Sequence, residues 1–256
     1  AEKSDAGLGT DCGSQIVVLQ RIPQFTDVTV SSGKTLGVKS WNGKTGGILV
    51  FKASGTVNIN GSIDVAGDGF RGGAAGNYSG EGMSSCSAKN GAANFGGAGI
   101  GAFGGSYSTK TEASGAGFVY GVSDLSKIYL GSGGSSNSGA GDCRYNYSSK
   151  AANGGGMVFI LAKDINVNGS LTAKGANGAN WTKTGGSGEP SYCSSDSGSG
   201  SGGSVKLVGE NVTLGVEKVL IGGGIDGRAR QAGAGGAGRA AIYYTGVVSG
   251  TTTPSF

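Results

Sequence analysis

Short runs of alternating apolar and polar residues recur along this chain, and the alternation has the two-residue period of a β-strand. The clearest example spans residues 46–67 and reads GGILVFKASGTVNINGSIDVAG. The turn dipeptides Ser54-Gly55 and Asn60-Gly61 separate its three apolar runs. The pattern therefore predicts three strands of about five or six residues, joined by tight turns.

The same unit returns three more times along the chain. It recurs at 155–175, at 202–224 with an insertion after Thr213, and in shortened form at 238–250. A unit of about twenty residues is too small to bury its own apolar face, so we expect the copies to stack. The expected fold is all-β, with a repeat-built β-solenoid or β-sandwich core. Its inward-pointing residues are predicted to be Val57, Ile59, Ile63, Val65, Ile165, Val167 and Leu171.

The repeat units divide the chain into a cap, a core and insertions, which we interpret as a single domain. Residues 1–45 form the predicted N-terminal cap, with one strand over 14–22 and two more around a Ser32-Gly33 turn. Glycine-rich insertions occupy 68–154, 176–201 and 225–237. Residues 127–130 are a further strand candidate, and no segment has convincing helical periodicity.

Glycine accounts for 57 of the 256 residues, about three times average usage. The low net charge of +4 and the clustering of apolar residues in the repeat units argue against a disordered chain. Glycine at every second or third position lets extended chains approach closely. The insertions are therefore predicted to be long extended segments of polyproline-II geometry packed side by side, or else irregular loops held by disulfides.

The four cysteines lie far apart in sequence, and the chain has no histidine. Two disulfides of open connectivity are a better interpretation than a zinc site, because no CxxC pair is present. No cofactor is predicted, although the sequence does not exclude a fortuitous calcium site. The disulfide candidates are Cys12, Cys86, Cys143 and Cys193.

Catalysis is not expected from these residues, because a chain without histidine has neither the usual general base nor a Ser-His-Asp triad. Asp64, Asp68 and Asp226 follow predicted strand ends, where the carboxylates of a lyase could lie. Turn capping by their side chains is the simpler interpretation. An Asp–Arg pair bracing a turn is expected at Asp68 and Arg71 and again near Asp226.

Two sets of residues are candidates for binding or assembly. Aromatic side chains on glycine-rich loops could bind a partner or fill gaps between layers; they are Tyr78, Phe95, Phe103, Tyr107, Tyr145, Tyr147, Trp181 and Tyr192. Apolar strands near the two termini could complete the sheet of a neighbouring copy; they contain Ile16, Val17, Val18, Leu19, Ile242, Tyr243, Tyr244, Val247 and Val248.

Several stretches resemble a glycine-rich domain of large bacterial surface proteins and phage-fibre-like proteins. They begin at Thr29, Trp41, Gly69 and Gly235 and read TVSSGKTL, WNGKTGGILVFKASGTV, GFRGG and GGAGRAAIYY. The repeat unit alone is similar to the β-helical coils of filamentous haemagglutinin-type adhesins. The resemblance runs from about residue 25 to the end, and it implies a structural or adhesive role without catalytic residues.

These observations predict an extracellular or cell-surface protein whose signal peptide has already been removed. We expect it to be a structural protein, the subunit of a surface filament or fibre that polymerises head to tail. The alternative is an adhesin or phage-type receptor-binding protein that grips a glycan or a cell-surface protein. Nucleic acid is excluded as a partner by the lack of Lys and Arg runs, and no window is long and apolar enough for a membrane span.

Overall fold

The computed structural model describes residues 19–73, 80–82, 122–135, 151–178, 197–225 and 234–254, together with the backbone of 137–138, 147–149 and 182–183. Within these residues the secondary structure consists of strands alone, so the all-β prediction is confirmed. Three parallel sheets of five strands each make up the fold.

The sheets share one order, in which neighbouring strands come from successive parts of the chain. Sheet A contains β1 (Gln24–Phe25), β4 (Ile48–Ala53), β9 (Met157–Leu161), β13 (Ser204–Gly209) and β16 (Arg239–Tyr244). Sheet B contains β2 (Val28–Val30), β5 (Thr56–Ile59), β10 (Asp164–Val167), β14 (Asn211–Leu214) and β17 (Val248–Ser249). Sheet C contains β3 (Thr35–Leu36), β6 (Ser62–Asp64), β11 (Ser170–Thr172), β15 (Val219–Leu220) and β18 (Thr252–Thr253). A small antiparallel sheet pairs β7 (Asn137–Ser138), β8 (Tyr147–Ser149) and β12 (Thr182–Lys183).

The chain passes through sheets A, B and C in turn, and each circuit forms one coil of a β-solenoid-like fold. Coil 1 is β1 to β3, coil 2 is β4 to β6, coil 3 is β9 to β11, coil 4 is β13 to β15 and coil 5 is β16 to β18. Because every pairing between coils is parallel, all five coils run in the same direction.

The core consists of columns of apolar side chains that cross the coils. One column in sheet B joins Val28, Val57, Ile165, Val212 and Val248 by direct register. All seven residues that the sequence predicts to point inward are fully buried, so that prediction is confirmed. Burial of each such side chain contributes roughly 1.5–3 kcal/mol, which favours this register over one shifted by a residue.

The Asn-Gly turns of the repeat unit stack on one another at the corner between sheets B and C. The side-chain amide of Asn168 donates to Oδ1 of Asn60 over 2.9 Å. A Cβ built on Gly169 would lie 1.7 Å from the carbonyl oxygen of Gly61, so only glycine fits at this corner. The second turn therefore needs its glycine because the backbone of the coil beside it comes so close.

Glycine-rich segments next to the coils bond to one another through their backbones, outside any strand ladder. The amides of Phe70 and Gly73 donate to the carbonyls of Gly131 and Gly134, each over 3.0 Å. Residues 131–135 also bond to segments 151–155 and 198–201, and to Glu81. Bonds to one neighbour recur at every third residue, whereas a β-ladder would use every second residue.

Two segments that the sequence predicts as strands are not strands in the structure. Residues 19–22 lie outside any strand, and residues 127–130 also have no strand pairing. Continuing β1 backwards would place Arg21 opposite Leu49, in a column whose coil 3 and coil 4 members, Val158 and Val205, are fully buried. A buried unpaired charge is costly, and Pro23 has no amide hydrogen for the ladder, so the strand begins only at Gln24.

Candidate assembly ends

The last strand of sheet A, β16, presents an open edge. Its amide at Arg239 donates to the carbonyl of Gly203 over 2.9 Å, which fixes the direction of its backbone groups. Because the direction alternates along a parallel strand, the amides and carbonyls of Ala240, Ile242 and Tyr244 point away from β13. These three residues form an acceptor edge for another strand.

The first end of the same sheet is open as well. β1 pairs only with Lys52 and Ala53, so residues 48–51 of β4 have no strand beside them on that side in the described part of the chain. The amide of Lys52 donates to the carbonyl of Pro23 over 3.0 Å. By the same alternation, the backbone groups of Ile48 and Val50 point toward the open edge.

Exposed apolar side chains gather near these two ends. At the first end, Leu19 is 96% exposed and Phe25 is 49% exposed, although Phe25 also packs edge to face on Phe51. At the last end, Tyr244 is 49% exposed and Val247 is 63% exposed. Large apolar groups in solvent at both ends of a stack are typical of surfaces that another chain covers.

The outer face of sheet A is mostly apolar, and residues 122–130 cover part of it. Lys206 donates from Nζ to the carbonyl of Leu125 over 2.7 Å and lies 4.9 Å from the ring centroid of Tyr243. The hydroxyl of Tyr243 donates to the carbonyl of Asp124, and Leu125 is fully buried. Sequence reasoning missed this contact, because a single loop carries no periodic pattern. Nothing in the pattern links residue 124 to residue 243.

A polar cluster lies beside coil 2. Glu81 accepts hydrogen bonds from Nε1 of Trp41 over 3.0 Å, from the amide of Arg71 over 2.9 Å and from Nε of Arg71 over 2.8 Å. The hydrogen bond with Glu81 raises the pKa of Arg71. The ring of Trp41 packs edge to face on Phe70, with centroids 5.7 Å apart. Trp41, Arg71 and Glu81 thus hydrogen-bond to one another and form a structural brace.

Two of the carboxylates near strand ends, Asp64 and Asp68, have hydrogen-bond partners in the described part of the chain. Asp64 accepts from the amide of Ala66 over 2.9 Å, so the capping interpretation is confirmed there. Asp68 accepts from the hydroxyl of Ser40 over 2.5 Å. The pKa of Asp68 is raised, mainly by burial. The hydrogen bond from Ser40 lowers the pKa in part, and the negative charge of Asp64 raises it further. The expected Asp68–Arg71 pair is wrong, because Arg71 pairs with Glu81.

Many predicted site residues fall outside the described part of the chain. These are the four cysteines, Asp226, the aromatics Tyr78, Phe95, Phe103, Tyr107, Tyr145, Trp181 and Tyr192, and the terminal residues Ile16, Val17 and Val18. Tyr147 belongs to β8, of which the backbone alone is described. Among the residues described, no group of three or more Cys, Asp or Glu could hold a metal ion.

The C-terminal donor candidates lie in the last coil of their own subunit. Ile242, Tyr243 and Tyr244 belong to β16 and pair with β13, while Val248 belongs to β17 and pairs with Val212. Ile242 packs against the core. The residues of β16 thus present an edge for another strand, and among the described donor candidates Leu19 and Val247 lie outside any strand.

The site and fold together define a parallel β-solenoid-like protein with two open ends. No family model, curated protein or solved structure matches the chain. The likeness to bacterial surface and phage-fibre-like domains therefore stays a prediction. The described residues contain no helix of the length and apolarity that a membrane crossing requires.

Proposed function

We propose that this chain is an extracellular structural protein that polymerises head to tail into a filament. The observation that carries this proposal is the shared direction and register of all five coils. A second copy placed with its coil 1 against coil 5 would continue all three sheets as parallel sheets. The column from Val28 to Val248 would then continue into Val28 of the next copy.

A head-to-tail contact of this kind uses two different surfaces and does not close on itself unless the rotation forms a ring. Repeated addition therefore produces an open filament. The exposed apolar side chains at both ends support this arrangement, because the contact would remove them from water. The low net charge of +4 does little to oppose close stacking.

The glycine-rich insertions have a structural role in this proposal. A bonding period of three residues is that of a polyproline-II helix, which has about three residues per turn. We assign the insertions to a bundle of such segments that runs beside the solenoid and stiffens it. Disulfides among the four cysteines would hold the insertions that contain Cys86, Cys143 and Cys193.

Electron microscopy and sedimentation of the purified chain over a range of concentrations test the proposal. Filaments should appear above a threshold concentration, with a subunit repeat close to the height of five coils, about 24 Å at 4.8 Å per coil. Deleting residues 247–256 removes β17 and β18 and should weaken assembly. An intact chain that stays monomeric at high concentration while binding cells would favour the adhesin function instead.

A further inference from the structure

Sheet A differs from the other sheets at its open ends, because apolar side chains predominate on its outward face as well, beside Lys52, Lys206 and Arg239. Its inward columns contain Val158, Ile160, Val205 and Leu207, all fully buried. Its outward columns include Val50, Met157 and Phe159, none of which is exposed. A strand that is apolar at successive positions therefore suits this sheet better than the alternating strand that suits a sheet with one solvated face.

The chain that leads into β1 precedes the first open edge, since the carbonyl of Pro23 accepts from the amide of Lys52. Residues 20–23 read Gln-Arg-Ile-Pro and suit an apolar strand position poorly, for the reasons given for Arg21 and Pro23. The four residues before them, 16–19, read Ile-Val-Val-Leu and are apolar at successive positions and rich in β-branched side chains. The run ends at Leu19, whose side chain is 96% exposed.

We propose that residues 16–19 of one copy add as a further parallel strand to sheet A of the adjacent copy, along the open edge of β16. This inference rests on the proposed head-to-tail filament and names the segment that makes the contact. The strand would pair with the backbone groups of Ala240 and Ile242, while β1 of the same copy would lie opposite Tyr244. In the stack, its other edge would face the open Ile48 and Val50 of its own subunit.

The linker between residue 19 and β1 is long enough for residues 16–19 to reach the adjacent copy. The linker from residue 19 to residue 24 extends at most about 17 Å, several times the strand spacing of about 4.8 Å. Main-chain hydrogen bonds would provide the affinity of such strand addition, and the apolar side chains its specificity. Leu19 is exposed in the single subunit and would be covered in the filament, so assembly has a favourable hydrophobic term.

Photo-cross-linking of the full chain tests which copy receives the segment. A benzophenone side chain replaces Leu19, and equal amounts of ¹⁴N- and ¹⁵N-labelled protein are mixed, assembled and irradiated. We expect cross-linked peptides that join residue 19 to residues 240–244, about half of them of mixed label. Cross-links of one label only, or to another part of the surface, would overturn the proposal.

A matched pair of full-length variants gives the second test. Val18→Asp should raise the threshold concentration for filaments at least about tenfold, equivalent to about 1.4 kcal/mol per contact. Ser4→Asp adds the same charge in the polar leader and should leave the threshold unchanged. If Val18→Asp assembles like the parent, or lowers the melting temperature of the subunit itself, the inference fails while the filament stands. If the parent forms no filaments at all, both proposals fail.

Discussion

Arg71 and Glu81 are joined by four hydrogen bonds, although neither residue belongs to a strand. The Glu81 carboxylate accepts two from the guanidinium and one from the backbone amide of Arg71, and the amide of Glu81 donates to the carbonyl of Arg71. Glu81 is 9% exposed and also accepts from Nε1 of Trp41. The pair thus connects the segment before the first repeat unit to the two segments that follow coil 2.

Replacing Glu81 with alanine should lower the free energy of unfolding by about 1–3 kcal/mol, because the indole and amide donors lose their partner. The guanidinium of Arg71 is half exposed and can turn to water, which limits the loss. Chemical denaturation measures the change. Glu81→Gln keeps one acceptor oxygen and should lose less; equal midpoints for Glu81→Ala and the parent would contradict the brace.

The register of the core predicts a strong effect at Ile59, which is fully buried between Val30 and Val167. Ile59→Asp should cost more than about 4 kcal/mol, because it buries an unpaired charge. Thr213→Asp changes an exposed residue of the same sheet and should stay within about 0.5 kcal/mol of the parent. Thermal melts that rank the two variants in the opposite order would show that the register is wrong.

Two glycines outside the strands offer a direct test of the close backbone packing. A Cβ on Gly154 would lie 2.0 Å from the carbonyl oxygen of Gly131, whereas a Cβ on Gly222 would meet nothing within 4 Å. Gly154→Ala should therefore lower the melting temperature clearly, by an amount equivalent to about 1–3 kcal/mol. Gly222→Ala should be neutral or slightly stabilising, since alanine restricts the unfolded chain.

The carboxyl of Asp68 predicts a dependence of stability on pH. Because burial raises its pKa in the folded protein, the folded state binds this proton more tightly than the unfolded chain, so stability falls as pH rises through the folded pKa. Asp68→Asn carries no charge and should melt higher than the parent at pH 7. The difference should vanish below the ordinary Asp value of 3.8. A difference that stays constant with pH would exclude titration of Asp68 as its cause.

The cysteines can be tested without reference to their positions. If all four are paired, alkylation of the denatured but unreduced protein should add no mass. Reduction before alkylation is the control and should add four labels, one for each cysteine. Two or four labels without reduction would contradict the disulfide prediction and reopen a metal site.

The strand units could be predicted from the sequence because buried and exposed positions alternate along each strand and differ in residue type. Val57 and Ile59 alternate with polar neighbours, and Asn60-Gly61 marks the turn. The bonds of the glycine-rich segments had no such signal, because the backbone of Gly131 bonds to Phe70 and Gly155 without any side-chain preference. The Trp41–Glu81 contact was equally hidden, since it joins residues 40 positions apart outside any repeat.

The apolar run that forms β16 could be recognised as a strand from the sequence, but the strand with which it pairs could not. The apolar run from Ile242 to Tyr244 indicates a strand, and the structure places it in the last coil of the same subunit. Sequence alone cannot distinguish a strand that pairs within its own chain from one that is donated to a neighbour, because both need apolar, β-branched or aromatic residues.

The unequal insertions also set the order in which the coils can form. Side chains that touch between coils 2 and 3 lie 108 residues apart, as Asn58 and Asn166 do, whereas coils 3 and 4 are joined across 47 residues and coils 4 and 5 across 36. Closing the longest loop costs roughly 1 kcal/mol more in chain entropy than closing the shortest. This entropy is lost before the contacts between the coils can form and stabilise them. We expect coils 3 to 5 to fold as a nucleus, with coils 1 and 2 docking afterwards. In pulse-labelled hydrogen exchange, the amides of β13 and β14 should become protected before those of β5.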